Sequence, residues 1–146
     1  MTMTEKRLDS ARLALKYGLG LAAFLAGLDK FFNLLANWDG YLSPLAARML
    51  PVSPTTFMYA VGIIEMVVGL AILTRWTEIA GYVAMVWLLL IAVNLVTTGT
   101  YFDVAVRDVV MAIAAFTLAQ LTAVTEGVAS GKVHIETTAL RARTAA

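Results

Sequence analysis

Six residues in this sequence carry side chains able to do chemistry within largely apolar surroundings: Asp29, Lys30, Glu65, Asn94, Arg107 and Asp108. Glu65 is the outstanding one, set in the run Gly62-Ile63-Ile64-Glu65-Met66-Val67-Val68-Gly69. If that run crosses a bilayer, a carboxylate there costs at least ~2.5–3.5 kcal/mol unless it is paired or has a task. Its side chain is too short to snorkel from mid-membrane. Lys30 and Arg107 are its candidate partners, because long basic side chains can reach inward or up to the interface. Asp29, Asp103, Asp108 and Asn94 fall at similar heights, which predicts a polar cluster with Glu65 at its floor.

Four readings of that cluster are open. Glu65 is paired with Lys30 or Arg107 (or protonated), and the network fixes helix register. The cluster opens to a small molecule, a quinone head group or a sulfur oxyanion, with Lys30 and Arg107 supplying positive charge and Asn94 a hydrogen bond. Glu65 carries protons or cations in a transporter. The cluster meets a partner membrane subunit. Asp29 and Lys30 are neighbours in sequence, so they point about 100° apart on a helix, as do Arg107 and Asp108. Asp103 is expected as a helix N-cap.

Other chemistries have no residues to support them. The chain contains no cysteine, which removes thiol relays, disulfides and iron–sulfur ligation by this chain. Its one histidine, His134, sits in a polar tail and is read as solvated, so no haem is held between histidines. No phosphate loop, Ser/His/Asp set or metal-spaced cluster is present. The sequence therefore nominates no catalytic residue, no metal ligand and no intrinsic cofactor; a quinone or a lipid is the occupant to expect. The net charge of +1 gives no reason to expect nucleic acid.

The elements that position these residues follow from composition. Of 146 residues, 60% are hydrophobic and 14% charged, against about 45–50% and about 25% in a soluble domain. Lipid is the natural solvent for such a surface. Four apolar spans are predicted, at about 13–36, 55–73, 79–96 and 104–124. The first is too long for a signal-peptide core and reads as a retained helix. Between the first two spans, Ser43-Pro44 marks the start of a short interfacial helix reaching about Leu50. The expected architecture is all-α: a four-helix transmembrane bundle over 13–124, with an N-terminal segment over 1–12 and a polar tail over 125–146.

Lysine and arginine set the expected orientation. Lys6, Arg7, Arg12, Lys16, Arg75, Lys132, Arg141 and Arg143 fall on the side of the termini, and Arg48, Lys30 and Arg107 toward the other. Both termini are accordingly expected in the cytoplasm. Trp38, Tyr41, Tyr101 and Phe102 would mark the outer interface, and Tyr17, Trp76 and Tyr82 the inner one. Trp87 reads as lipid-facing or core packing. Small residues predict where helices touch: Ala105, Asp108, Ala112, Ala115, Ala119 and Thr122 on the fourth span; Met58, Gly62, Glu65, Gly69 and Ile72 on the second; Gly18, Ala22 and Asp29 on the first.

Three segments carry a family likeness. Ala26-Gly27-Leu28-Asp29-Lys30-Phe31 follows an A-G-x-x-K-[LF] pattern. Gly62 to Leu70 follows G-x-x-E-x-x-x-G-L, and Arg107-Asp108 opens the last span. In this order the chain resembles the DoxX family of small four-helix bacterial membrane proteins over about Leu13 to Val124. The resemblance implies Lys30, Glu65, Arg107 and Asp108 as the shared polar set and a bacterial inner-membrane location. It also implies a link to quinone-dependent thiosulfate oxidation or to membrane oxidoreductase assemblies.

The function to expect is an accessory or anchoring subunit of a larger, redox-linked membrane complex, not an enzyme by itself. The alternative is a stand-alone small-molecule binding or transport protein, alone or as a homo-oligomer in the bilayer. Native purification in mild detergent separates them: a subunit travels with larger chains in fixed stoichiometry, as read by mass analysis, and a stand-alone protein does not.

Overall fold

The computed structural model describes residues 3–129 and is all-helical, with no strand among the described residues. The chain runs through α1 (Met3–Asp29), a 3-10 turn (Trp38–Tyr41), α2 (Pro44–Met49), α3 (Pro54–Leu73), α4 (Thr77–Thr98) and α5 (Phe102–Ala129). Four helices are long and apolar enough to cross a membrane: Met3–Asp29, Pro54–Leu73, Thr77–Thr98 and Phe102–Gly127. Their outward side chains are large and apolar, including Leu21, Leu25, Ile63, Val67, Leu90 and Ile113, all exposed. In water that surface would associate; against lipid it needs no cover.

Local chemistry sets the helix boundaries. Ser43 and Ser53 cap α2 and α3 through their hydroxyls, which accept from the Ala46 and Thr56 N–H groups, and a proline follows each cap. Gly99, at φ +74°, closes α4 in the left-handed conformation that glycine adopts without strain. In the turn between α3 and α4, the Thr77 hydroxyl donates to the Ile72 and Thr74 carbonyls, and Lys16 donates to Thr74 at 2.7 Å. The Ile72 carbonyl in the last turn of α3 and the carbonyl of its C-cap Thr74 thereby gain donors.

α3 and α4 lie close to the predicted spans. α1 does not: it ends at Asp29 instead of near Ala36. The Asp29 carboxylate accepts hydrogen bonds from the Leu34 and Leu35 N–H groups at 3.0 and 2.9 Å, and Asn33 takes a left-handed conformation at φ 53°. A side chain that binds the backbone ahead of it competes with the next helical turn. Lys30 therefore sits just past the helix, not within it. α1 also starts at Met3, before the polar N-terminal segment was expected to end. Asp103 lies inside the first turn of α5 and is not its cap, because the helix already begins at Phe102. α5 continues past Val124 to Ala129, so the first residues of the expected tail are helical; Lys132, His134, Arg141 and Arg143 lie outside the described residues.

The four long helices form two tight pairs, α1 with α3 and α4 with α5. In the first pair, backbone meets backbone. A Cβ placed on Gly27 would lie 2.5 Å from the Gly62 carbonyl oxygen, and one on Gly69 would lie 2.7 Å from the Gly20 carbonyl oxygen. In the second pair Gly81 packs on Ala115 and Ala119, and Gln120 donates to the Tyr82 hydroxyl at 3.0 Å. The stripes predicted on α3 and α5 are the buried ones, with Asp108 half-buried among its alanines. The stripe on α1 is displaced: Gly20 and Gly27 make the contact, whereas Gly18 and Ala22 are exposed. Glycines two turns apart on each helix bring the antiparallel axes together in register, and Gly18 falls off that line.

The two pairs meet fully only toward the turn that joins α3 and α4. There Leu19, Ile72, Ala80, Ala84, Ala115 and Leu118 form a core drawn from all four long helices. At the other end Ala92, Leu95 and Ala105 of α4 and α5 pack with Tyr41 and Tyr101, and the pairs stand apart.

Gly27→Ala is expected to lower stability by about 1–3 kcal/mol through overpacking against Gly62. Gly18→Ala, with open space at its Cβ, is expected to be neutral or slightly stabilising. Thermal unfolding in detergent compares them, and equal melting of both variants would refute the glycine contact.

Candidate functional site in the bundle interior

Where the helix pairs separate, a cavity of about 670 Å³ opens between them. Its floor is Leu19, Ile72 and Ala84 of the four-helix core. Its walls are mostly apolar: Ala22 and Ala26 of α1, Met58, Val61 and Val68 of α3, Leu88 and Ile91 of α4, and Met111 of α5. Trp38, Tyr41 and Leu42 from the connection between α1 and α2 close over it. The polar side chains that face it are Lys30, Glu65, Asn94, Arg107 and Asp108.

Lys30 and Glu65 form a buried ion pair, Nζ to Oε2 at 2.5 Å, with the two residues 4% and 8% exposed. The glycine contact puts them there. A Cβ on Gly62 would lie 3.2 Å from the Lys30 Cβ, and one on Gly27 would lie 3.0 Å from the Glu65 Cβ. The Lys30 ammonium also lies 3.8 Å from the centroid of the Trp38 ring, where the π face attracts a cation. Of the two candidate partners for Glu65, the geometry selects Lys30 over Arg107.

Trp38 is itself held. Its Nε1–H donates to Asp29 at 2.8 Å, and its ring meets Tyr41 edge-on at 5.5 Å, which in turn meets Tyr101 at 4.5 Å. Asn94 fastens the same connection to α4: its Nδ2 donates to the Tyr41 carbonyl at 2.7 Å, and its Oδ1 accepts from the Ser43 N–H at 3.1 Å. Thr55 donates to Asp39 at 2.8 Å and ties the connection to α3. The strap over the cavity is thus bound to three helices by hydrogen bonds.

The structure brings five of the six nominated residues to one cavity and leaves one out. Asp29 is buried, but its oxygens are taken by Leu34, Leu35 and Trp38, so it braces the strap instead of joining the cluster. Asn94 lines the cavity while its amide serves the strap. Arg107 is exposed and Asp108 half-buried. Neither makes a hydrogen bond or an ion pair among the described residues, although Lys30, Glu65 and Arg107 all lie within electrostatic reach of Asp108. Two charges of the cluster are therefore spent on each other and two are unspent.

Trp87 was not nominated and is part of the site. It lines the cavity from α4, and its indole N–H is buried, faces the Glu65 carboxylate and stops short of hydrogen-bond geometry. A signal for it was present: Trp87 lies two helical turns from Asn94 and hence on the same face. Trp38 reads in sequence as an interfacial marker; its hydrogen bond to Asp29 and its contact with Lys30 depend on how the connection folds back. No cluster of three or more His, Asp or Glu suited to a metal ion occurs among the described residues.

Glu65→Leu is expected to cost about 3–5 kcal/mol, because it leaves the Lys30 ammonium buried and alone. Adding Lys30→Met to Glu65→Leu should restore most of that loss, as read by thermal unfolding of the single and double variants. Wild-type melting for Glu65→Leu alone would refute the pairing. Comparison of the chain with protein-family models, curated proteins and solved structures gives no match, so its reading rests on its own residues.

Proposed function

We propose that this chain is a membrane-embedded binding protein whose bundle interior receives an amphiphilic, largely apolar small molecule with a quinone-like head group. One observation carries the reading: a half-open cavity of about 670 Å³ between the helix pairs, lined mostly by apolar side chains with a few polar groups among them. Ligand pockets typically span about 300–1,000 Å³ and have this lining. A purely structural network would be closed and dry. The Lys30–Glu65 pair fits that description; the cavity and the unspent Asp108 do not.

Charge favours a neutral ligand over an oxyanion, the two classes that the sequence leaves open. Lys30 is neutralised by Glu65, and Arg107 stands beside Asp108, so the four charges sum to zero. A sulfur oxyanion would enter a site with no surplus positive charge and lose its hydration there. A neutral molecule meets no such penalty. A proton or cation pathway through Glu65 is disfavoured by the lysine that occupies its carboxylate.

Membership in the DoxX family, a bacterial inner-membrane location and cytoplasmic termini belong to the same proposal, supported by the motif residues and by the distribution of lysine and arginine. The expectation of an accessory role in a redox-linked complex rests on the resemblance alone. The cavity supports binding by the chain itself.

The test is ligand-dependent stability in lipid nanodiscs. A short-chain quinone, added in either redox form at about one hundred times its dissociation constant, should stabilise the fold by about 2.7 kcal/mol. Met111→Trp, which fills the cavity, should abolish the effect. A wild-type melting temperature that no added quinone or quinol moves would overturn the reading.

A further inference from the structure

The cavity presents one carboxylate that the protein leaves wholly unused. Asp108 projects from the small-residue face of α5, between the buried Ala105 and Ala112. Its carboxylate lines the cavity, yet it accepts no hydrogen bond and forms no ion pair among the described residues. Apart from Arg107, which also lines the cavity, the charged and amide groups near it are already committed. The Lys30 ammonium is spent on Glu65 and Trp38. Asn94 is spent on the strap. The Trp87 N–H is buried facing Glu65, with no surface open to an incoming molecule. Arg107, next in sequence and about 100° away around the helix, is exposed, and its long side chain can reach the head-group level.

A carboxylate left without a donor in an apolar cavity is costly, and a ligand that brings a donor relieves that cost. A cation can do so, and so can a neutral donor, of which a hydroxyl is the simplest on an apolar molecule. The cluster of Lys30, Glu65, Arg107 and Asp108 is already charge-balanced, so a cation would add net charge to a low-dielectric interior. A hydroxyl adds none. A ligand group that only accepts hydrogen bonds, such as an ether or the carbonyls of an oxidised quinone, would face Asp108 acceptor to acceptor, so the hydroxyl-bearing quinol is the preferred redox form of a quinone-like head group.

We infer that Asp108 is the recognition group of the cavity and that it selects neutral apolar molecules carrying a hydroxyl, which donates its hydrogen bond to the Asp108 carboxylate. This inference rests on the reading of the cavity as a binding site and adds what distinguishes one occupant from another. Asp108 is a specificity residue here; no bond is made or broken.

A matched pair of compounds tests it: ring-brominated para-nonylphenol and its methyl ether, which differ only in the methyl that replaces the donor hydrogen. Bromine quenches tryptophan on contact. Trp38 and Trp87 line the cavity, whereas Trp76 does not and is exposed, so the chain carries Trp76→Phe. Quenching is read in nanodiscs against mole fraction in lipid. The phenol should saturate at a mole fraction about tenfold lower than the ether, as a hydrogen bond to a charged group implies. Asp108→Leu should erase that difference, and Asp108→Asn, which retains a carbonyl acceptor, should keep part of it.

Saturable quenching by phenol and ether at the same mole fraction would overturn the role of Asp108 and leave the binding cavity standing. A preference for the phenol that survives Asp108→Leu would do the same. Tighter binding of nonyltrimethylammonium than of the phenol, read by displacement, would reverse the charge argument and overturn the inference. Quenching by neither compound above that given by lipid partitioning alone would remove the cavity reading together with the inference built on it.

Discussion

The backbone contact between α1 and α3 at Gly27 and Gly62 is the constraint on which the site depends. Neither position has room for a Cβ. With both side chains absent, the helices approach until Lys30 and Glu65 are neighbours, and the ion pair closes without either side chain reaching far. In lipid, apolar side chains gain little from leaving their solvent, so close packing of small residues must do what hydrophobic burial does in water. The ion pair is thus a consequence of the glycines as much as a cause of the packing. Its position also locates the strap, because Trp38 lies on the lysine and is held there by Asp29.

The same economy explains why the bundle contains a cavity. Small residues pull α1 onto α3 and α4 onto α5, but no comparable stripe joins one pair to the other along their whole length. Near the turn between α3 and α4 the pairs are held together by Leu19, Ile72 and Leu118, side chains large enough to fill the space. Farther along, the facing residues include Ala26, Val61 and Asp108, and the strap bridges the gap from above. A bundle packed evenly on all sides would have had no interior volume to offer. This one keeps its rigid contacts within the pairs and leaves its open volume between them, an arrangement suited to admitting a molecule without breaking the tightest contacts.

Polar groups in this interior divide into those satisfied locally and those turned to the cavity. Asp29 answers to the backbone of its own connection, Asn94 to the strap, Ser43 and Ser53 to their helix starts, and Thr77 to the carbonyls of α3. Glu65 and Lys30 answer to each other. What is left is Asp108 and the Trp87 N–H inside and Arg107 at the edge. A buried polar group is normally partnered, and the half-buried Asp108 carboxylate is the one acidic group of the interior without a hydrogen bond among the described residues.

Hydropathy and length alone gave four apolar spans, the short capped helix after Ser43, and Glu65 as the residue most in need of a partner, because each follows from local composition and from the cost of charge in lipid. The same information could not say which of two lysine or arginine residues would reach Glu65, since both were long enough and at a similar height. Nor could it say that Asp29 would be consumed by backbone N–H groups, that α1 would stop there, or that Gly20 and Gly27 instead of Gly18 would set the contact. Those outcomes turn on the absolute rotation of one helix against another and on how a connection folds back, which the spacing of small residues constrains only to within a neighbouring face. The cavity, and with it the roles of Trp38 and Trp87, belongs wholly to the tertiary structure, because an empty volume is what remains when distant segments have chosen their partners.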